Sequence, residues 1–371
     1  MLKPVISADS HIVEPPNCYV DYIDPKFRDV APYVGKNKHD VDSFIIKGMK
    51  NPLPLGLLAG CGMSAEELKV QRNANFDGIR RGSWSAKDRI ADMDRDGMGG
   101  EIIYASVGMV LCLHEDFDYK KACFDAYNRW LQEYCADVPD RLFGLAQVAV
   151  NNVDQAIKDF HTAKEMGHVG IMMPGNPAEE DYDHAIYDPL WETAVELDLP
   201  ICFHILTSKG ASVEEVFKPP RGHSLNGFMN IIRGVQDIIG LFVLGGVFAR
   251  HPKLKMAVAE GDAGWVPHYM YRMDHAYLRL GANLHKRVPE LPSHYIRNNI
   301  SFTFQDDHIA FLCKDLLNIK RLIWASDYPH TDSTWPRSQE VLSEHTSHMT
   351  EDEKNLVRHD NVKEWFNLKV A

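Results

Sequence analysis

A (β/α)8 barrel of the TIM type, with one long insertion after its first strand, is the fold this sequence predicts, on three observations. Short, nearly continuous apolar runs alternate with longer amphipathic ones from residue 85 to the C-terminus, the pattern of parallel strands covered on both faces by helices. With the opening run there are about eight such strands, and eight βα units favour a closed barrel over an open doubly wound sheet. A dinucleotide or nucleotide fold lacks its signature: no glycine fingerprint follows the first strand and no GxxxxGK[ST] occurs.

The opening strand is Pro4-Val5-Ile6-Ser7-Ala8-Asp9-Ser10-His11. Side chains two apart share one face of a strand, so Asp9 and His11 point together at its carboxyl end. Pro15 and Pro16 stop it, and residues 15–83 follow as a long irregular region rich in Pro and Gly. That length exceeds an ordinary connection and predicts an insertion over the mouth of the fold. Inside it, a helix is expected over 64–75, with Ser64 as N-cap and Glu67 completing a capping box.

Regular alternation begins at Ser85, which caps a helix that carries Ile90 and Met93 and stops at Gly97, before a strand over 101–105. Helix and strand then recur as 119–137 with 142–150, 153–166 with 169–173, and 189–197 with 200–205. A long helical region over 226–250 precedes a strand at 255–259; a helix over 265–280 precedes a strand at 300–304. Helix 310–317 leads to strand 321–325, and helices over 337–347 and 351–366 close the chain. The whole, 1–371, is expected to form a single domain.

Composition narrows the partners. Hydrophobic residues are 45% and charged residues 25% of the 371, enough for a large core. The net charge of −12 and the lack of a basic patch argue against nucleic acid. No basic leader followed by an apolar run opens the chain. The longest apolar stretch, 238–248, is broken by Gly240, Gly245 and Gly246, so no membrane span is expected. Seven scattered cysteines with no CxxC pair read as buried thiols of a cytoplasmic protein.

In such a barrel, polar residues at the carboxyl ends of the strands meet at one mouth. Those ends carry Asp9 and His11 on the first strand, His204 on the fifth, Glu260 on the sixth and Asp327 on the eighth. Each has an ordinary explanation alone, as a core histidine, a helix-start carboxylate or a turn cap. Together, five ligand-type side chains at buried strand ends call for a cation, because unpaired buried charge is costly.

At these positions the chain resembles the amidohydrolase superfamily, in the branch of α-amino-β-carboxymuconate-ε-semialdehyde decarboxylase and related aromatic-acid decarboxylases. The resemblance is carried by Ala8-Asp9-Ser10-His11, Arg89-Ile90-Ala91-Asp92-Met93-Asp94, Gly245-Gly246-Val247-Phe248 with the following 249–255, Ala259-Glu260-Gly261-Asp262-Ala263-Gly264-Trp265-Val266-Pro267, and Trp324-Ala325-Ser326-Asp327-Tyr328-Pro329-His330. It implies a metal site made by a strand-one His-x-His, a strand-five His and a strand-eight Asp. Here Asp9 replaces the first His, while His11, His204 and Asp327 match. Exchanging a nitrogen for an anionic oxygen favours Mn or Fe over Zn. The branch's decarboxylases end strand six in an acid–base His, and here Glu260 stands there. It could act as base if burial raised its pKa, or ligate one ion of a two-metal site together with Asp9, Asp327 and His330.

The expected function is therefore a metal-dependent enzyme using Zn, Mn or Fe on a small carboxylated organic compound, with Asp327, Glu260 and His330 as catalytic groups. Glu260 tilts the expectation to hydrolysis through a metal-activated water; the alternative is non-oxidative decarboxylation of an aromatic or muconate-type acid. A two-metal site with other chemistry, or a non-catalytic metal-binding subunit, are further alternatives. Arg81, His223 and His308, on the mouth side, are candidate substrate contacts, with Arg80 beside Arg81 as a carboxylate clamp. Glu14 reads as a solvated loop carboxylate and His268 as helix packing. Family members are often dimers, and the aromatic helix 265–280 offers surface for a homo-oligomer.

Overall fold

Strand β1 (Val5–Ile12) is followed by three short strands of the insertion, β2 (Tyr33–Lys36), β3 (Asp42–Ile45) and β4 (Leu53–Pro54). Then come β5 (Met98–Ala105), β6 (Leu142–Gln147), β7 (Gly170–Met172), β8 (Ile201–His204), β9 (Met256–Ala259), β10 (Ile300–Phe304) and β11 (Leu322–Trp324). The computed structural model describes residues 1–207 and 221–370. Eight strands pair in the order β1-β5-β6-β7-β8-β9-β10-β11, every pair parallel, and the expected (β/α)8 barrel is the fold.

Closure is made by the chain just past β11 rather than by a β1–β11 ladder. β11 has only three residues, and the main chain beyond it reaches across to β1: Asp327 N donates to Asp9 O at 3.0 Å and His11 N to Tyr328 O at 2.6 Å. A buried serine cluster supports the seam, with Ser326 N donating to Ser7 Oγ and Ser10 Oγ to Ser7 Oγ, both at 2.9 Å. The hydrogen bonds that close the barrel thus hold the Asp9 and Asp327 backbones side by side. Pairing of β1 is irregular between Ser7 and Ser10, yet Ser10, His11 and Ile12 pair regularly with β5.

Residues 15–83 are more ordered than their composition suggests. β2, β3 and β4 form an antiparallel sheet, and helix Ala65–Gln71 has the expected capping box, Ser64 with Glu67. Alternation there is too brief to read locally: the strands have two to four residues. The segment packs on the loop after β11, with Cys61 N donating to Pro329 O at 3.0 Å, and Phe44 and Leu55 belong to the same core as the barrel residues.

Most helices lie where periodicity puts them. Ala86–Asp96 starts at Ser85, whose side chain accepts from Asp88 N, and ends at Gly97, whose φ of 71° glycine adopts without strain. Three expectations change. The region 226–250 is broken into Ser224–Met229, Ile232–Leu244 and Val247–Arg250, the last break falling at Gly246 with φ 76°. Helices Val107–Leu111 and Pro292–Asn299 were not marked by the sequence pattern, and the last helix is interrupted by a π turn at Leu356–Asp360. The stretch Leu225–Leu244 has the length and apolarity of a membrane-crossing segment by composition alone. Its Val235, Ile238, Ile239, Phe242 and Val243 are buried in the core. All seven cysteines are free.

Candidate metal centre at the barrel mouth

His11 and His204 end β1 and β8, are fully buried, and face each other with their Nε2 atoms 3.1 Å apart. His11 Nδ1 donates to Ala105 O at 3.2 Å, which puts its ring lone pair on the inward Nε2. Around that atom lie Asp9 Oδ1 at 3.4 Å and Asp327 Oδ1 at 3.6 Å. Glu260 Oε2 approaches His204 Nε2 to 3.0 Å. Thr303 of β10 ties the carboxylates together: its hydroxyl donates to Asp9 Oδ2 at 3.0 Å and accepts from Glu260 N at 2.7 Å. Glu260 and Asp327 both have φ of 55°, a left-handed backbone that non-glycine residues rarely adopt and that is met at functional sites.

Asp9 Oδ1 and both carboxylate oxygens of Asp327 are buried and make no hydrogen bond. Burial pushes Asp9 and Asp327 above the usual carboxylate range, and Asp327 is raised further by the charges of Glu260 and Asp9. Glu260 is pushed up to about 8, again chiefly by burial. The imidazoles move the other way: burial drives His11 well below its usual value and His204 down to about 4. Carboxylates that resist ionising, beside imidazoles that resist protonation, form a donor set that a divalent cation would satisfy. Among the described residues, His11 with Asp9 and His204, and His11 with Glu260, Asp327 and His330, are the two groups whose ligand atoms lie close enough to share an ion.

His330 joins the cluster. Its ring stacks on His11 with centroids 3.9 Å apart, its Nδ1 is 3.2 Å from Asp327 Oδ1, and its Nε2 is 3.0 Å from Ser106 Oγ. It and Glu260 are each 14% exposed, so they form the face of the cluster turned to the mouth.

The other candidates are placed elsewhere. Arg81 is exposed, donating to Asp88 and lying over the Trp84 ring. Arg80 is engaged by Asp92 and lies over Trp335, so the pair is no free clamp. His223 is exposed, with Nδ1 accepting from Leu225 N; Pro219 and Pro220 before it lie outside the described residues. His308 is exposed and stacks on His345, and His268 faces solvent rather than packing. Each sits on a loop or helix surface whose path strand periodicity does not determine. Glu14 is the reverse case: it is fully buried, accepting from Val107 N at 3.0 Å and Gly108 N at 3.1 Å. Thr303 and Ser106 carry no signal in the sequence, since small hydroxyl residues are common in every context.

A cavity of about 710 Å3, lined by Glu290, His294, Arg297, Lys314, Asp315 and Glu353, lies away from this cluster. Asn298 and Ile319, also in its wall, precede the amino ends of β10 and β11, so it opens at the opposite end of the barrel.

Three known proteins are similar to this chain in sequence or in fold. The γ-resorcylate decarboxylase of a Polaromonas species is 24% identical over 258 residues, covering 65% of this chain and 76% of its own. An amidohydrolase of Mycobacterium avium subsp. paratuberculosis, 19% identical, superposes with a TM-score of 0.80 over 99% of this chain and all of its own. The 5-carboxyvanillate decarboxylase of Novosphingobium aromaticivorans, a structure with bound manganese, superposes with a TM-score of 0.67 at 20% identity, over 98% of this chain and 97% of its own. The amidohydrolase family model matches residues 73–368, everything from the end of the insertion through the last helix. The chain belongs to the amidohydrolase family.

Proposed function

We propose that this protein is a metal-dependent carboxy-lyase that releases CO2 from a small hydroxylated aromatic acid. The observation that carries the reading is the convergence of His204 Nε2, Asp9 Oδ1 and Asp327 Oδ1 within 3.1 to 3.6 Å of His11 Nε2, with the carboxylate atoms lacking hydrogen bonds. Those four residues would hold one divalent ion, and the two carboxylates among them favour manganese or iron. A bound ion would supply charge to anchor and polarise the oxygens of the substrate.

The chain's own groups do the rest. Thr303 and Ala105 orient Asp9 and His11, so the donor geometry is set before substrate arrives. Replacing CO2 by hydrogen needs a proton at the ring carbon: the carbon takes it, the carbon–carboxylate bond breaks, and its electron pair restores the aromatic ring. Glu260, pushed up to about 8 by burial and facing the mouth, is the carboxyl suited to hold that proton. Water returns it after turnover.

Glu260 at the position of the decarboxylase His favours hydrolysis on sequence grounds, and that remains the second reading. Support for the lyase comes from the relatives: the γ-resorcylate decarboxylases of Polaromonas and Rhodococcus jostii, and 5-carboxyvanillate decarboxylase. The test is CO2 release from manganese-loaded protein given 2,6-dihydroxybenzoate and a panel of other hydroxybenzoates. Release that stops on chelation and returns with manganese is expected. No release from any member, with cleavage of esters or lactones instead, would replace the lyase by the hydrolase. E260Q is expected to keep its manganese and to lose about 100-fold or more in kcat.

A further inference from the structure

Arg89, on helix Ala86–Asp96, is wholly buried, and its Nε donates to Glu101 of β5, which is buried as well. Taking such a pair out of water is costly, and apolar side chains of similar volume commonly hold a fold just as well. The pair alone therefore does not account for an arginine here. Its remaining N–H groups are spent at the barrel seam: Nη1 donates to His11 O at 2.7 Å and Nη2 to Tyr328 O at 3.4 Å. His11 N donates to that same Tyr328 O at 2.6 Å. One planar guanidinium thus spans the main chain of His11 and of the residue after Asp327.

Asp92, three residues on and on the same helix face, completes a grip on Tyr328. The Tyr328 ring is 1% exposed, lies 4.7 Å from the Arg89 guanidinium, and its hydroxyl donates to Asp92 Oδ2 at 2.6 Å. That carboxylate is itself held by Arg80 Nε at 2.7 Å, and Trp335 Nε1 donates to Asp92 O at 3.1 Å. Gly82 lies against the grip, where a Cβ would come within 2.1 Å of Asp92 Oδ2 and 2.5 Å of the Tyr328 hydroxyl. The residue so held follows Asp327, whose φ of 55° persists only if the surroundings impose it.

We propose that Arg89 is a positioning residue for the metal centre: by joining the His11 and Tyr328 carbonyls, and with Asp92 gripping Tyr328, it sets the spacing of His11 and Asp327 and so the affinity for the ion. The proposal rests on the metal reading above but not on the decarboxylase reading.

The experiment titrates metal-free, full-length protein with manganese, the free ion being read by electron paramagnetic resonance. R89M/E101M exchanges the pair for apolar side chains. Its metal-free form is expected to unfold in urea at the parent midpoint or later, while its manganese dissociation constant rises about tenfold. R89K keeps a charge opposite Glu101, but one ammonium cannot span both carbonyls, so it too should bind more weakly. Y328F, which removes only the hydroxyl on Asp92, should raise the constant by a smaller factor. Parent-like affinity in R89M/E101M overturns the proposal, and so does a midpoint that falls together with the affinity, the mark of a merely structural role. Should R89M/E101M not fold, R89K and Y328F decide on the same two readouts. A parent protein that binds no manganese overturns the metal reading with it, whereas the expected affinities without CO2 release overturn the decarboxylase reading alone.

Discussion

Asp9 is the residue at which this chain departs from the His-x-His of the superfamily it resembles, and its surroundings explain why an oxygen donor is stable there. Thr303 donates to Asp9 Oδ2 and leaves Oδ1 facing the two imidazoles. A histidine could use that hydroxyl only through a different geometry. D9H is therefore expected to shift the metal taken from an equimolar manganese–zinc mixture toward zinc, measured by elemental analysis of the purified protein. T303V should weaken manganese binding about 10- to 100-fold in a titration, because it removes the donor that orients Asp9 and leaves Glu260 N without its acceptor. The main ligand candidates were legible in the sequence because each ends an apolar strand, and strand ends converge in a barrel. Arg81, His223 and His308 lie exposed on loops and helix surfaces, where residue type says nothing about direction.

Secondary-structure elements impose their own constraints, best seen at two buried groups outside the cluster. Glu14 caps helix Val107–Leu111 from a loop after β1, so E14A leaves two buried N–H groups without acceptors. A loss of about 1–3 kcal/mol in urea unfolding is expected. His168, just before β7, is buried with Nε2 bonded to Asn128 O at 3.2 Å, and burial lowers its pKa from 6.5 to about 4. Between those values the unfolded chain binds a proton that the folded chain excludes. Its contribution is thus present above pH 6.5 and lost as pH falls toward 4, by at most about 3 kcal/mol. H168Q should flatten the unfolding free energy against pH across that window, and an unchanged slope would show that His168 is not the group responsible. Neither residue stands out in sequence: Glu14 follows a strand like any loop carboxylate, and its burial depends on a helix more than 90 residues on.

At the scale of the whole molecule, the barrel gathers buried carboxylates at the ends of β1, β9 and β11; burial raises Asp9, Glu260 and Asp327, and the neighbouring carboxylates raise Glu260 and Asp327 further. A cation should therefore stabilise the fold as well as serve the site. Manganese at 100 times its dissociation constant should add about 2.7 kcal/mol, seen as a rise in Tm that chelation reverses. D327N should behave oppositely in the two states. Without metal it is expected to melt above the parent, since Asn escapes the cost of burying an ionisable carboxylate and tolerates the left-handed backbone there. With manganese added, its Tm should not move. A D327N protein that gains the full manganese shift would remove Asp327 from the centre.

The alternation of apolar runs determined by itself the eight-stranded barrel, its helices and the strand ends at which Asp9, His11, His204, Glu260 and Asp327 stand. Periodicity is a local property, and in a closed barrel it also dictates which residues share the mouth. Tertiary structure decided what no local pattern carries: the seam made by the chain past β11, the burial of Glu14, and the reach of Ser106 to His330. These contacts join distant parts of the chain, and their geometry depends on loop paths that residue type and spacing leave open.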